Sequence, residues 1–283
     1  MKALALGLAL LLAACGAPRS GRLPLGPDQL EYEWAGQGEP LVLIGGGGLD
    51  RRQWEAVAAE LARDHRVLTY DLRGWGASAP ASAEHAHHED LLALLEHLEW
   101  KRVDVLGLSF GGLVAVDLAL AAPERVRSLV LVGPALSGYP FSASFYERHG
   151  AAHAVRLAQG LPAMVEHMLA DGHFLPGAAA DPALAERYRA LALANAQVHA
   201  IDPSLVRFLD PPAYGRLGEL RAPVRVLVPE LDEPELFELA QSLVEAAPDA
   251  RAERLPGVGH MAHLEDPQAL AERVRALLLE AGR

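Results

Sequence analysis

From Leu30 onward, short apolar runs alternate with longer stretches of helical spacing. Leu41–Ile44, Val67–Tyr70, Val103–Leu106, Ser128–Val132 and Val224–Val228 are brief and rich in β-branched residues and leucine, which suits strands buried on both faces. Residues 51–62, 84–99, 111–121, 233–246 and 266–281 have the length and periodicity of helices. This alternation predicts an α/β domain with a mostly parallel sheet and helices on both faces. Leu30–Trp34 alternates apolar with polar positions and predicts an antiparallel edge strand, and Arg251–Leu255 predicts a further strand. The alternation stops between about residues 137 and 215, a helical stretch broken by repeated prolines that falls between two strands. That stretch predicts a helical cap insertion over the carboxyl edge of the sheet, where open α/β sheets bind ligands.

The first residues follow a different pattern. Lys2 precedes an apolar run from Ala3 to Leu12, too short to cross a bilayer as an ordinary helix. Leu12-Ala-Ala-Cys15 then resembles a bacterial lipobox, which implies lipidation at Cys15, export and anchoring to a membrane of the bacterial cell envelope; simple secretion is the alternative. Residues 16–27 are rich in Gly, Pro and Arg and read as a flexible tether, which leaves residues 28–283 for the domain.

Composition narrows the partners. Of 283 residues, 51% are hydrophobic and 22% charged, a globular balance. The net charge of −12 and the lack of a basic patch argue against nucleic acid, leaving a small-molecule substrate as the expected partner. Cys15 is the only cysteine, so disulfides say nothing of the compartment.

The clearest chemical signal is Gly107-Leu108-Ser109-Phe110-Gly111, set between a strand and a helix. A G-x-S-x-G turn in that context exposes a strained serine at a helix N-terminus. Leu41-Val-Leu-Ile-Gly-Gly-Gly-Gly-Leu-Asp50, Asp71-Leu-Arg-Gly-Trp-Gly-Ala-Ser78 and Leu255-Pro-Gly-Val-Gly-His-Met-Ala-His-Leu-Glu-Asp-Pro267 add three loops after strands. With these motifs the chain from about Leu30 to its end resembles the α/β-hydrolase fold family, in its serine esterase and lactonase branch. The resemblance implies Ser109 as nucleophile and the backbone N–H groups of Gly47 and Phe110 as the oxyanion hole. The family has His-Gly where this chain begins its loop with Gly45, so the glycine run is either less rigid or held by other packing.

His260 is the expected base, because it lies in a glycine-rich loop before the last helix and comes last in the order serine, acid, histidine. His263, three residues on, is expected to begin a helix and either pack or face solvent. The acid must follow a strand between Ser109 and His260, and Pro229-Glu-Leu-Asp-Glu233 offers three carboxylates. Family position favours Asp232; Glu230 and Glu233 compete, with Glu233 and Glu235 suited to stabilising a helix N-terminus. His85-Ala-His87-His88-Glu-Asp90 invites a metal reading, but no second cluster with metal spacing accompanies it. It is read as a solvated helix face, and neither a metal nor a cofactor is expected.

These residues imply hydrolysis of a carboxylic ester or lactone through an acyl-enzyme. A serine at the elbow argues against the family's epoxide hydrolases and haloalkane dehalogenases. Its branches acting on amides, N-terminal proline peptides, carbon–carbon bonds or peroxide stay open, as does a non-catalytic binding protein. The N-terminal pattern generates a separate expectation. Mass spectrometry of the mature protein should find residues 1–14 removed and Cys15 lipidated, and Cys15→Ser should release the protein from membranes or block processing. An intact Met1 would overturn it.

Overall fold

The computed structural model describes residues 17–282. The apolar leader and Cys15 lie outside the described residues. One eight-stranded sheet forms the centre, built from β1 (Arg19–Leu25), β2 (Asp28–Ala35), β3 (Glu39–Ile44), β4 (His65–Tyr70), β5 (Val103–Leu108), β6 (Val126–Val132), β7 (Val224–Pro229) and β8 (Ala250–Leu255). Their order is β1-β2-β4-β3-β5-β6-β7-β8. Strands β3 to β8 pair in parallel, while β2 runs antiparallel to β4 and β1 antiparallel to β2.

The segment expected as a tether is therefore mostly strand, and β2 is not the edge. Residues 19–25 pair with 28–34, setting Leu23 against Leu30 and Arg19 against Trp34. Leu23 and Leu25 pack on the core, and the Arg19 guanidinium lies 4.9 Å over the Trp34 ring. Gly26, at φ 68°, makes the tight turn. The strand was hidden because an edge strand tolerates Gly and Pro and needs only one apolar face.

The helices are α1 (Glu55–Leu61), α2 (His87–His97), α3 (Phe110–Ala121), α4 (Ala143–Gln159), α5 (Leu161–Leu169), α6 (Pro182–Ala194), α7 (Pro234–Ala246), α8 (Ala262–Glu265) and α9 (Pro267–Ala281). On one face, Val57 and Leu61 of α1 and Leu270 and Val274 of α9 pack on Leu41, Leu43 and Val130. On the other, Leu91, Val114 and Leu239 of α2, α3 and α7 pack on Val42, Leu68 and Leu129. Each such side chain contributes roughly 1.5–3 kcal/mol by leaving water. Among the described residues, no helix is long and apolar enough to cross a membrane.

Helices α4, α5 and α6 form the cap between β6 and β7. Its own small core of Val165, Leu175, Leu184, Tyr188 and Leu191 closes against Leu49, Met261 and Leu264, which belong to the loops above the sheet. Both stems of the cap are pinned to α3: the Ser137 hydroxyl donates to Asp117 at 3.0 Å and accepts the Ala213 N–H at 3.0 Å.

The histidine-rich segment differs from expectation. Helix α2 starts at His87, and His85 precedes it in a bridge to Val206 of the cap's return chain. The His85 N–H donates to Leu205 and its carbonyl accepts from Arg207. His85, His87, His88 and Asp90 are buried rather than solvated: the return chain pairs with His85, and Asp90 is held by Arg73.

Arg73 is buried between two acids, with Nε 2.9 Å from Asp90 and Nη1 3.1 Å from Asp28. Removing one partner of a buried ionic cluster strands the others without compensation. Arg73→Met should lower the unfolding free energy by about 3–5 kcal/mol in urea titration. A loss under about 1 kcal/mol would mean that water compensates both carboxylates.

Candidate active site

Strand β5 passes directly into α3 through Ser109, whose backbone sits at φ 52°, ψ −117°. That conformation costs a non-glycine residue on the order of 1–3 kcal/mol. The flanking glycines are steric necessities. A Cβ at Gly107 would stand 2.6 Å from the Gly111 carbonyl oxygen, and one at Gly111 would stand 2.2 Å from that of Ile44. The strained residue is tied down on both sides: Ser109 N–H donates to Val132, and its carbonyl accepts from Gly112 and Ala135. Its side chain makes no capping bond to α3 and lines the cavity beneath the cap.

The Gly45–Gly48 loop is held by Gln53, a residue that sequence reasoning missed. A Cβ at Gly45 would lie 2.3 Å from Gln53 Nε2, so the absent side chain at position 45 is replaced by the Gln53 amide. Gln53 Oε1 accepts from Gly46 N–H at 3.2 Å, and Nε2 donates to the carbonyls of Leu49 and Asp50. Of the two alternatives for Gly45, the fold therefore takes the packed one. No motif marks Gln53; only its position one helical turn behind the glycines could have suggested it. Asn195, in the cap, extends the hold by donating to Asp50 at 2.8 Å and accepting from Gly76 at 3.0 Å. Gly47 lines the cavity. Phe110 opens α3, so its N–H has no acceptor within the helix. Its ring stacks on buried Trp75 at 5.7 Å.

His260 Nδ1 lies 2.8 Å from Asp232 Oδ2. Asp232 is buried, and its other oxygen accepts the Glu233 N–H at 2.8 Å. The cap fixes the histidine backbone: His260 N–H donates to His173 and Met261 N–H to Phe174. Glu265 adds a second tie, accepting from Gly259 beside the histidine and from Gly177 in the cap. Burial opposes charge on His260, but the Asp232 carboxylate and its hydrogen bond, with Glu233, outweigh it and move the pKa above the ordinary 6.5.

The competing carboxylates take other partners. Glu230 accepts from Gly257 N–H on the outside of the loop. Glu233 does not bond to the N-terminus of α7 as expected; it turns into the cavity and pairs with Arg148 at 3.0 Å and His149 at 3.2 Å. Glu235 instead accepts from the hydroxyl of Ser142 at 2.8 Å. His263 is fully buried, 4.9 Å from the Trp54 ring, and burial first of all pushes its pKa down to about 3.

Ser109, Gly47, Asp232 and His260 thus border one cavity of about 250 Å³, walled by Phe141, Phe145 and Met168 among others. His149, His167 and His173 also line it, whereas His153 is exposed on the cap. The volume lies just under the range of about 300–1,000 Å³ usual for ligand sites.

A mostly parallel sheet, a strained serine between glycines and a histidine bonded to an acid together mark a hydrolase-type site. Residues 41–273 match the Alpha/beta hydrolase family, and the chain belongs to that family. It is 32% identical to the putative carbamate hydrolase RutD of Pseudomonas savastanoi pv. phaseolicola over 242 residues, 80% of this chain and 88% of that protein. It is 38% identical to 2-hydroxymuconate semialdehyde hydrolase of a Pseudomonas species over 115 residues, which span only 41% of that protein's length. A thermophilic esterase from Thermogutta terrifontis, solved with malate bound, superposes with a TM-score of 0.76 at 27% identity, covering 93% of this chain and 99% of that one. The chain is an enzyme of a hydrolase family with esterase and other hydrolase relatives.

The His260–Asp232 pair generates a direct measurement. By NMR titration His260 should have a pKa above 6.5, and Asp232→Asn should bring it below 6.5, because burial then acts unopposed. Glu230→Gln should leave it unchanged. If Glu230→Gln lowered it and Asp232→Asn did not, the pairing would be wrong. The raised pKa means that the pair stabilises the fold fully below the unfolded histidine pKa and loses that contribution as pH rises through the elevated one.

Proposed function

We propose that this protein is a serine hydrolase that cleaves a carboxylic ester or lactone of a small molecule through an acyl-enzyme. The observation that carries this reading is the strained Ser109 opening on the same cavity as a histidine bonded to the buried Asp232. In the first half-reaction His260 removes the Ser109 hydroxyl proton as Oγ bonds to the substrate's carbonyl carbon. The carbonyl oxygen takes the electron pair and is met by the N–H groups of Phe110 and Gly47. The tetrahedral intermediate collapses, the carbon–oxygen bond breaks, and His260 returns the proton to the leaving alkoxide. Water repeats the sequence on the acyl-enzyme and releases the acid. Asp232 orients His260 and stabilises its charged form.

A cavity of about 250 Å³ with phenylalanine and methionine walls favours a small or short-chain acyl group. The apolar leader and Cys15 further support export and lipid anchoring in a bacterial envelope, with the hydrolase domain held at a membrane surface.

Ser109→Ala should keep its fold by circular dichroism, lose labelling by a fluorophosphonate, and lose on the order of 10⁶ in kcat against p-nitrophenyl esters. Asp232→Asn should lower kcat by about 10⁴. Retention of more than about a tenth of the activity by Ser109→Ala would remove the nucleophile assignment. Failure of the unaltered protein to label would favour a binding protein instead.

A further inference from the structure

A second group of chemically capable side chains lies away from the cavity. His85, His87 and Asp90 meet where the loop after β4 enters α2, and all three are buried. Each offers one ligand atom, and these atoms lie within 4.8 Å of one another. His85 Nε2 and His87 Nδ1 are buried and have no hydrogen-bond partner. Leaving such atoms unpaired is costly, and a native fold retains them only for a reason. His85 Nδ1 lies 3.0 Å from the Ala83 carbonyl oxygen, which can only accept. The proton is therefore on Nδ1, and Nε2 turns its lone pair toward the cluster. An imidazole whose other nitrogen donates to a carbonyl is the usual arrangement of a metal-ligating histidine.

Charge points the same way. Asp28 and Asp90 share the guanidinium of Arg73, and Glu84 and Glu89 share that of Arg207, so each group is left one negative charge in excess. We propose that His85 Nε2, His87 Nδ1 and a carboxylate oxygen of Asp90 form a binding site for a divalent cation of the Zn²⁺ type. Two imidazoles and one carboxylate select such an ion over Mg²⁺ or Ca²⁺, which prefer oxygen ligands. Bonds of roughly 2.0–2.1 Å around a tetrahedral ion place ligand atoms about 3.3 Å apart. Binding would therefore draw the three atoms together from their present spread of up to 4.8 Å. A carboxylate has about four acceptor sites, so Asp90 keeps its bonds to Arg73 while ligating the ion. Water fills the fourth position.

The position gives the ion a structural role. His85 carries the backbone bridge to the cap's return chain, and the His87 ring meets Phe110 edge-on at 5.5 Å. One ion would clamp the cap's stem, the start of α2 and the packing behind Phe110.

The test uses the full chain stripped with chelator and titrated calorimetrically with Zn²⁺. One equivalent should bind with a Kd well below about 100 μM, and a hundredfold excess over Kd should raise Tm by roughly 5 °C or more. His85→Gln and His87→Leu should each weaken binding by at least about 100-fold. His153→Gln, an exposed cap histidine, should bind as the parent does. X-ray absorption of the zinc-loaded parent should show two imidazole nitrogens and a carboxylate oxygen at about 2.0–2.1 Å, which tests the site even if a variant fails to fold. No equivalent bound at about 100 μM Zn²⁺, an equivalent kept by both variants, or an absorption spectrum without imidazole scattering would each overturn the proposal.

Discussion

The site depends on how closely the start of α3 passes the end of β3. The Gly111 backbone comes so near the Ile44 and Gly45 carbonyls that a single Cβ would stand 2.2 Å from one and 2.7 Å from the other. This approach is possible only if the turn from β5 is as short as one residue, and that residue must then accept φ 52°. The hydrogen bonds of Ser109 to β6 and to the chain beyond it retain the strained form. The same approach brings Gly46 over the nucleophile, so that a Cβ there would lie 3.4 Å from that of Ser109. Nucleophile and glycine loop are thus positioned by one packing event between two neighbouring strands.

The cap is a second layer stitched to the histidine loop and to the loops after β3 and β4. His173 and Phe174 accept the N–H groups of His260 and Met261, Asn195 holds Asp50, and the stems meet at Asp117 and Ser137. Burial pushes the Asp117 pKa up to about 6, against the Ser137 and Leu209 hydrogen bonds that lower it. A cap joined in this way serves as a roof and also supports the loops beneath it. Its helices would bring cavity walls and site geometry under the same constraint, so a change in the cap's packing reaches His260 through backbone bonds.

Charge is arranged in depth as well as at the surface. Asp232 is buried beside His260, Glu233 faces Arg148 and His149 across the cavity, and Arg73 lies between Asp28 and Asp90. In these low-dielectric places a partner decides whether a charge is tolerable, which is why the acids come with bases. The carboxylate at Glu233 shows how position redirects a side chain. One residue after Asp232, it serves the cavity rather than the dipole of α7.

Periodicity and motif were enough for the sheet from β3 to β8 and the helices on its faces, and they singled out Ser109, Asp232 and His260 as residues to watch. These depend on local rules: apolar spacing decides which face is buried, and a one-residue elbow demands glycine on either side. The edge strand β1 escaped because Gly, Pro and Arg mask a strand that has only one neighbour. Gln53, Asn195 and Glu265 escaped because their roles are side-chain contacts across 3 to 145 residues of chain, which no sequence motif encodes. Burial of His85 and Asp90 was likewise decided at a distance, by the return of residues 205–207 along His85 and by Arg73 against Asp90. The choice of Asp232 over Glu230 was set in the turn after β7, where Glu230 accepts from Gly257 on the exposed side of the loop and Asp232 reaches His260.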